Sequence, residues 1–409
     1  MVDNAAWTKK LSQRVMQLGG SATLQVSKQA AQLRQQGHRV VDLGVGEPSC
    51  PTPSCILSAA MQALQQSDIS HYTAAAGLPD LLTALQQKLA RDQGLQYNTS
   101  QLLVTPGAKA ALSLTFDTLL QPGDEVILFA PYWTSYKALV QLAGATPVVV
   151  PTHAQDGYLP NMQALQQALS DKTKVVLINS PANPSGALWS KQRLQQLWQL
   201  LQQRPVWVVS DEIYSRFVFD GLEYVSPASL SREAYERTVV IDGVSKTYAM
   251  TGWRIGCVAA SDYVISHMLK LHSQRFTCAT ALAQYAASFA LSEGRQVAQA
   301  VQQMRQNYQR RRDTLLPQIK QLPHIGCSTP QGAFYLLLDI SAYIGRSYGN
   351  ITIADDVTFC QQLLQQQHVA TVAGSAFGTP GTVRLSFAAD DAQLGEGIAR
   401  IKTWLRQLH

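Results

Sequence analysis

The lysine at position 246 has the setting of a reactive amine. It follows an apolar, strand-like run that includes Ile241, and small residues surround it. Burial disfavours an ammonium ion, so a lysine in such a setting has a lowered pKa and is a candidate nucleophile for a Schiff base. Arg254, in a Gly-flanked Trp-Arg-Ile-Gly, is a candidate bidentate donor for a carboxylate or phosphate. Spacing alone is equally consistent with a surface lysine at a turn and an arginine in an ion pair.

Three further polar or aromatic residues follow strand-like runs. Asp211 comes after the apolar stretch 205–209, Asn183 lies in an Asn-Pro turn, and Trp133 stands just past a strand-like segment. Open α/β sheets bind ligands at the carboxyl ends of their strands. A buried Asp211 needs a cationic partner or becomes protonated, and a helix N-cap is the alternative role. Trp133 offers a flat face for stacking, or packs between helix and sheet.

Two other segments have groups suited to anions. The strand-turn-helix pattern at Gly107, Ala108 and Lys109 leaves a helix N-terminus open, where free N–H groups form a phosphate site. Such turns are common at βα junctions, so this signal is weak by itself. Arg384 alternates with apolar residues on a predicted strand and is costly there without an anion. An ion pair with an unidentified acid is the alternative for this arginine.

The elements that must position these residues alternate along the chain. A helix is predicted over 26–34, with Ser21 or Thr23 as its N-cap. Strands and helices then alternate up to Lys246, which favours an α/β fold with a mainly parallel sheet. Beyond it the pattern turns helical, with a long helix over 296–318. Strands are predicted again within 332–339 and 382–387.

The segment from Ser245 to Gly256, Ser-Lys-Thr-Tyr-Ala-Met-Thr-Gly-Trp-Arg-Ile-Gly, resembles the pyridoxal-lysine signature of class I aminotransferases. These are pyridoxal 5'-phosphate (PLP) enzymes of fold type I. Other segments match in the same order and together cover nearly the whole chain, most like prokaryotic-type aspartate aminotransferases. The resemblance implies a large domain (49–295), with a mainly parallel sheet flanked by helices. It also implies a small α+β domain made of 1–48, with an N-terminal arm, and 296–409.

The resemblance implies PLP as cofactor and assigns it ligands. Lys246 would form the Schiff base and later move the substrate α-proton, while Asp211 would keep the ring nitrogen protonated. Tyr214 and Asn183 would lie at the phenolic oxygen, and Trp133 would stack on the ring. The phosphate ligands would be Gly107, Ala108, Lys109, Arg254 and, from a neighbouring subunit, Tyr72. Gly243 departs from the pattern, because many relatives have a phosphate-binding serine there.

The substrate site follows from the same resemblance. Gly46 and Arg384 would hold the α-carboxylate together with Asn183, and Lys109 or Arg275 would meet the substrate side chain. The implied reaction transfers an amino group from an L-amino acid, above all aspartate, to 2-oxoglutarate. An aromatic or broad-range aminotransferase, suggested by Phe276, and a PLP-dependent β-lyase on the same scaffold are the alternatives.

Composition narrows the remaining choices. The length of 409 residues predicts two domains, and the 46% hydrophobic content suits a globular enzyme, although the 15% of charged residues is below the usual quarter or so. A net charge of +6, with no basic run longer than 310–312, argues against a nucleic-acid partner. The six cysteines are scattered, with no CxxC pair and no histidine at ligand spacing, so we expect reduced thiols and no metal.

Location and assembly are expectations of the same kind. No apolar run approaches the length of a membrane span, and Met1 to Lys10 have no signal-peptide pattern, so we expect a cytoplasmic protein with no membrane partner. The family resemblance implies a homodimer with shared active sites. A PLP-sensing transcription regulator is disfavoured because no room exists for a DNA-binding domain before Val40. A plain nucleotide-binding protein is disfavoured because the glycine-rich phosphate fingerprint is missing.

Overall fold

The computed structural model describes residues 11–16 and 18–409. The strands are Val41–Asp42 (β1), Leu102–Thr105 (β2), Glu125–Ala130 (β3), Thr146–Pro151 (β4), Thr173–Asn179 (β5), Trp207–Asp211 (β6), Thr238–Gly243 (β7), Gly256–Ala259 (β8), Gly326–Cys327 (β9), Tyr335–Asp339 (β10), Ser347–Tyr348 (β11), Ile351–Thr352 (β12), Val369–Ala370 (β13), Val372–Ala373 (β14) and Thr382–Ser386 (β15). The α-helices are Gln13–Met16 (α1), Ala22–Gln35 (α2), Ser54–Ala63 (α3), Pro79–Gln93 (α4), Ala108–Leu119 (α5), Ser135–Leu142 (α6), Met162–Ala168 (α7), Lys191–Leu201 (α8), Arg232–Arg237 (α9), Asp262–Arg275 (α10), Ala281–Ser292 (α11), Arg295–Lys320 (α12), Asp356–Gln367 (α13) and Asp391–Leu405 (α14).

The main sheet has seven strands in the order β2-β8-β7-β6-β5-β3-β4. Strands β4, β3, β5, β6 and β7 pair in parallel, and β8 runs antiparallel to both of its neighbours. The predicted α/β fold with a mainly parallel sheet is confirmed.

Helices cover both faces of this sheet, which explains the continuous apolar runs of its strands. On β3, Val126 and Leu128 pack into one layer with Phe116 of α5. Ile127, between them, packs into the opposite layer with Leu194 of α8. Successive side chains of a strand alternate between faces, so both faces of β3 need apolar residues.

The helix boundaries follow local signals in the sequence. The Ser21 side chain accepts a hydrogen bond from the Leu24 backbone N–H and caps α2, as predicted. Pro79 occupies the first turn of α4, where its missing N–H has no cost. The long helix predicted over 296–318 is α12, whose 26 residues include Pro317 near its end.

A second, antiparallel sheet has the order β14-β15-β10-β9. Strand β1 pairs in parallel with β13, which joins a segment before the main sheet to one after it. This pairing agrees with a small domain built from both parts of the chain, but the limits 1–48 and 296–409 stay a prediction. Residues 1–10 and 17 of the predicted arm and small domain lie outside the described residues.

The described part of the chain contains no helix with both the length and the apolar character that crossing a bilayer requires.

Candidate active site

The carboxyl ends of the parallel strands bring several predicted site residues to one edge of the main sheet. Asp211 is the last residue of β6, and Asn179, the last residue of β5, lies directly beside it in register. Strand β7 ends at Gly243, shortly before Lys246. The edge where ligands bind in such sheets therefore has an acid, an amide and an amine.

A cavity of about 490 Å³ opens at this edge. The main sheet forms one side of its wall through the ends of its strands. Gly46, which follows β1, and Arg384, on β15 of the second sheet, also line it. The predicted site residues that line it are Gly46, Ala108, Lys109, Trp133, Asn183, Asp211, Tyr214, Lys246, Arg254 and Arg384.

Lys246 lies in this cavity half-buried, and its amine is easily deprotonated. Its Nζ donates a hydrogen bond to the Gly46 carbonyl at 2.7 Å. Burial lowers the pKa of this amine to about 8, helped by the positive charges of Arg384 and Arg254 and opposed by nearby carboxylates. A lysine with this pKa has an appreciable neutral fraction near pH 7, as nucleophilic and basic chemistry requires.

Asp211 is a buried acid that has no cationic partner in the described part of the chain. Its Oδ2 accepts a hydrogen bond from the Tyr136 hydroxyl at 2.6 Å, and its Oδ1 accepts one from the Ile213 N–H at 3.3 Å. Among the described residues no basic side chain forms an ion pair with it. Burial raises the pKa of this carboxyl to about 6, although both hydrogen bonds favour the charged form. A cationic ligand atom beside Asp211 supplies the missing partner.

Arg384 is a buried cation that has no acidic partner among residues 11–16 and 18–409. It is 2% exposed, donates from Nη1 to Asn183 Oδ1 at 3.0 Å and from Nη2 to the Gly44 carbonyl at 2.5 Å. Its Nε has no hydrogen-bond partner. Within the described residues it forms no ion pair, so the structural ion pair considered from the sequence is not found. A buried arginine in this state suits a carboxylate ligand.

The start of α5 forms a close-fitting anion cradle. Gly107 has φ +90°, and a Cβ added there would collide with the Arg254 guanidinium. A Cβ on Gly256 would collide with the backbone at Gly107 and Ala108. Glycine at both positions thus lets Arg254 and strand β8 approach the helix N-terminus, whose N–H groups favour a phosphate.

Taken together, these groups fit PLP. The cradle suits its phosphate, the unpaired acid suits its protonated ring nitrogen, and the neutral-prone lysine suits its aldehyde. Residues 38–401 match the family model described as aminotransferase class I and II. The chain belongs to this family. It is a PLP-dependent aminotransferase, as the sequence predicted.

Curated relatives and solved structures agree with this assignment. The aspartate aminotransferase of Geobacillus stearothermophilus is 41% identical over 97% of this chain and 99% of its own. The probable aspartate/prephenate aminotransferase of Aquifex aeolicus is 37% identical over 98% and 100%. The crystal structure of the Rhizobium meliloti aspartate aminotransferase superposes with a TM-score of 0.93 at 35% identity, covering 98% and 100% of the two chains. That of Thermus thermophilus with maleate gives 0.90 at 37% identity, over 96% and 99%.

Three predicted site residues of this aminotransferase are absent from the cavity lining. Gly107 lies just behind it, with its backbone against the Arg254 guanidinium, and the other two lie outside the cavity. The Tyr72 side chain is 87% exposed and does not line the cavity. Arg275 forms an ion pair with Asp117 at the surface and does not line it either. Their predicted roles require a second subunit and stay predictions.

Gly243, where the family pattern often has serine, has a steric explanation. A Cβ there would lie 2.8 Å from the Ile255 carbonyl oxygen and 3.2 Å from the Gly256 Cα. A side chain at this position therefore needs a backbone shift. Ser245, two residues further on, lines the cavity and has a hydroxyl available to a ligand.

Sequence reasoning missed several residues of the site. Tyr136 holds Asp211, and Tyr335 lies 2.7 Å from the Tyr214 hydroxyl through its own hydroxyl. Tyr136 has a usable signal, since it follows Trp133 by about one helical turn in the first turn of α6. Tyr335 has none, because it reads as one residue of an apolar strand. The N-cap and first two turns of α2 also line the cavity, through Ser21, Thr23, Leu24 and Ser27.

Proposed function

We propose that this enzyme transfers the amino group of L-aspartate to 2-oxoglutarate. The observation that carries the proposal is one cavity with a neutral-prone lysine, an unpaired buried acid and, besides Arg254 of the phosphate cradle, two separate cations, Arg384 and Lys109. Two cations match the two carboxylates of aspartate and of 2-oxoglutarate. The relatives named aspartate aminotransferases support the same substrate.

The residues that would hold PLP are those to which the family resemblance assigns it. Asp211 would pair with the ring nitrogen, Tyr214 and Asn183 would donate to the phenolic oxygen, and Trp133 would cover the ring face. The phosphate would lie in the cradle of Gly107, Ala108, Lys109 and Arg254.

When bound, PLP supplies an electron sink for the charge left on the substrate after loss of its α-proton. Lys246 would take that proton as a neutral amine and return it. Arg384 would hold the α-carboxylate through its guanidinium fork, with Asn183 fixing its plane at 3.0 Å. Asp211 would keep a proton on the ring nitrogen, and Tyr136 keeps that carboxylate in place.

The acidic side chain of the substrate is the part that Lys109 would recognise. Its Nζ lies 5.0 Å from the centre of the Trp133 ring, and burial together with Arg254 lowers its pKa. Loss of a charge-assisted contact costs about 1.5–3 kcal/mol, or roughly 10- to 150-fold. We expect Lys109→Ala to lower kcat/KM for aspartate by about this factor and to spare phenylalanine.

Steady-state assays of wild type and variant with both amino donors test this expectation. Lys137→Ala is the matched control, since Lys137 lies in the neighbouring helix α6 and does not line the cavity. Equal losses for aspartate and phenylalanine would show that Lys109 serves only the phosphate. A wild type that prefers phenylalanine would replace the aspartate proposal by an aromatic or broad-range aminotransferase.

We also propose a homodimer whose sites are shared through Tyr72. Like Tyr72, the large apolar side chains of Leu57, Met61 and Phe289 are exposed, and apolar surface of this kind is available to a second subunit. If Tyr72 serves the partner's phosphate, Lys246→Ala and Tyr72→Ala chains complement each other. A mixed dimer then has one site with an intact lysine and an intact partner tyrosine.

At limiting PLP, we expect the mixture to recover activity that neither variant has alone. Activity against mixing ratio and sedimentation measure this. An active monomer in sedimentation would refute the shared site. A mixture whose activity is only the average of the activities of the two variants would refute it as well.

We also propose the cellular compartment of the enzyme. All six cysteines are free thiols, the state expected in a reducing compartment. This supports a cytoplasmic enzyme.

A further inference from the structure

Tyr335 occupies a central position in the cavity wall. It is fully buried, lies on β10, and is adjacent to strand β15, which supplies Arg384. It touches three groups to which the proposed mechanism assigns a task, namely Arg384, Tyr214 and Gly46. Nothing in the mechanism so far uses it.

The ring of Tyr335 supports the Arg384 guanidinium. The Arg384 Cζ lies 4.7 Å from the centre of the Tyr335 ring and 4.9 Å from that of Phe377. A cation over an aromatic face is attracted by the ring quadrupole, and the attraction is strongest when water is excluded. Because Arg384 forms no ion pair with any residue of 11–16 or 18–409, these two rings and two carbonyl oxygens are the contacts that hold its plane.

The hydroxyl of Tyr335 makes a different contact, 2.7 Å from the Tyr214 hydroxyl. A phenol has a single proton to donate. When Tyr214 donates that proton to an acceptor in the cavity, its oxygen is left to accept, and Tyr335 is the donor within reach. The other acceptor near Tyr335, the Gly46 carbonyl, is 3.5 Å away and already accepts from Lys246.

We propose that Tyr335 is a positioning residue with two separable tasks: its ring orients Arg384 toward the substrate α-carboxylate, and its hydroxyl keeps Tyr214 donating toward the cofactor phenolic oxygen. The inference rests on the proposed function, because it assigns Arg384 and Tyr214 their roles there. It adds a residue that reaches both the substrate and the cofactor side of the site.

Three variants separate the tasks. Tyr335→Phe removes only the hydroxyl, and Tyr335→Leu removes both hydroxyl and ring. Phe377→Leu removes the second aromatic ring that contacts Arg384 and leaves Tyr335 intact. Each PLP-loaded protein is titrated with maleate, a dicarboxylate without an amino group. The KM for aspartate is measured as well. So is the absorbance midpoint, which is the pH at which the visible absorbance of the bound PLP has undergone half of its change.

The ring task predicts a split between the variants. Tyr335→Leu and Phe377→Leu should weaken maleate binding and raise KM by about 5- to 30-fold, and Tyr335→Phe should stay within about 2-fold of wild type. The hydroxyl task predicts the opposite split. The absorbance midpoint should rise by about half a unit to one unit in both Tyr335 variants and stay unchanged in Phe377→Leu.

Equal maleate affinity for Tyr335→Phe and Tyr335→Leu would overturn the ring task. A wild-type absorbance midpoint in Tyr335→Phe would overturn the hydroxyl task. Thermal unfolding checks that each variant is folded, and if Tyr335→Leu is not, Tyr335→Met replaces it as the variant that lacks both ring and hydroxyl. Failure of the aspartate proposal has a different signature, a wild type without aspartate turnover, whereas failure of this inference leaves an active wild type and variants identical to it.

Discussion

Lys246→Ala should lower turnover about 10⁴-fold or more, because the variant loses both the nucleophile and the proton-transferring base. Lys109, the other lysine in the cavity wall, does not replace the Lys246 amine, because it lies over Trp133. Rate constants from single-turnover measurements with aspartate test this directly.

Two further variants separate chemistry from charge. Lys246→Arg retains a positive charge but has no neutral form at working pH, so it should be as inactive as alanine. Lys270→Ala, an exposed lysine of α10, should keep wild-type activity. An active Lys246→Arg protein would contradict the role of a neutral amine.

The lowered pKa of Lys246 gives this prediction a pH dependence. In the protein without cofactor the amine is mainly protonated below pH 8 and mainly neutral above it. The rate of PLP uptake should therefore rise with pH up to about 8 and then level. A rise that continues toward pH 10, the range of an ordinary lysine, would show that the amine is not desolvated.

Asp211→Asn should reduce kcat by about 10²- to 10⁴-fold, as a loss of about 3–5 kcal/mol from a broken buried charge pair implies. The amide keeps the shape and a contact with Tyr136, but it cannot hold a proton on the ring nitrogen. Glu212→Gln is the matched control. Glu212 is fully buried next to Asp211 but bonded to Ser210 and Ser226, away from the cavity lining.

PLP affinity gives a second measurement of the same pair. Without cofactor the Asp211 pKa is raised to about 6, so its carboxyl is protonated below that pH and ionised above it. A cationic ring nitrogen binds the ionised form, so affinity should fall as pH drops through about 6 in the wild type. Asp211→Asn should lack this step. A variant with an unaltered pH dependence would rule out Asp211 as the partner of the nitrogen.

Part of the site could be predicted because its residues occupy ends of local patterns. Lys246, Asp211, Asn183 and Trp133 each follow a strand-like run, and parallel strands that end at one edge must bring such residues together. The glycine before α5 is also a local signal, since a strand-turn-helix pattern opens a helix N-terminus. For these residues the sequence already determines which element ends where.

The rest of the site depends on how remote segments pack. Arg384 and Tyr335 come from the second sheet and meet Asn183 and Tyr214 only because that sheet packs against the strand ends of the first. The first turn of α2 reaches the cavity for the same reason. Periodicity records whether a residue is buried in its own element, but not which distant element it faces. The sequence by itself therefore determined the amine, the acid and the phosphate turn. The tertiary structure decided the tyrosine pair, the carbonyls that hold Arg384 and the unpaired state of the charges of Asp211 and Arg384. It decided these because only close packing of the two sheets excludes water from both charges.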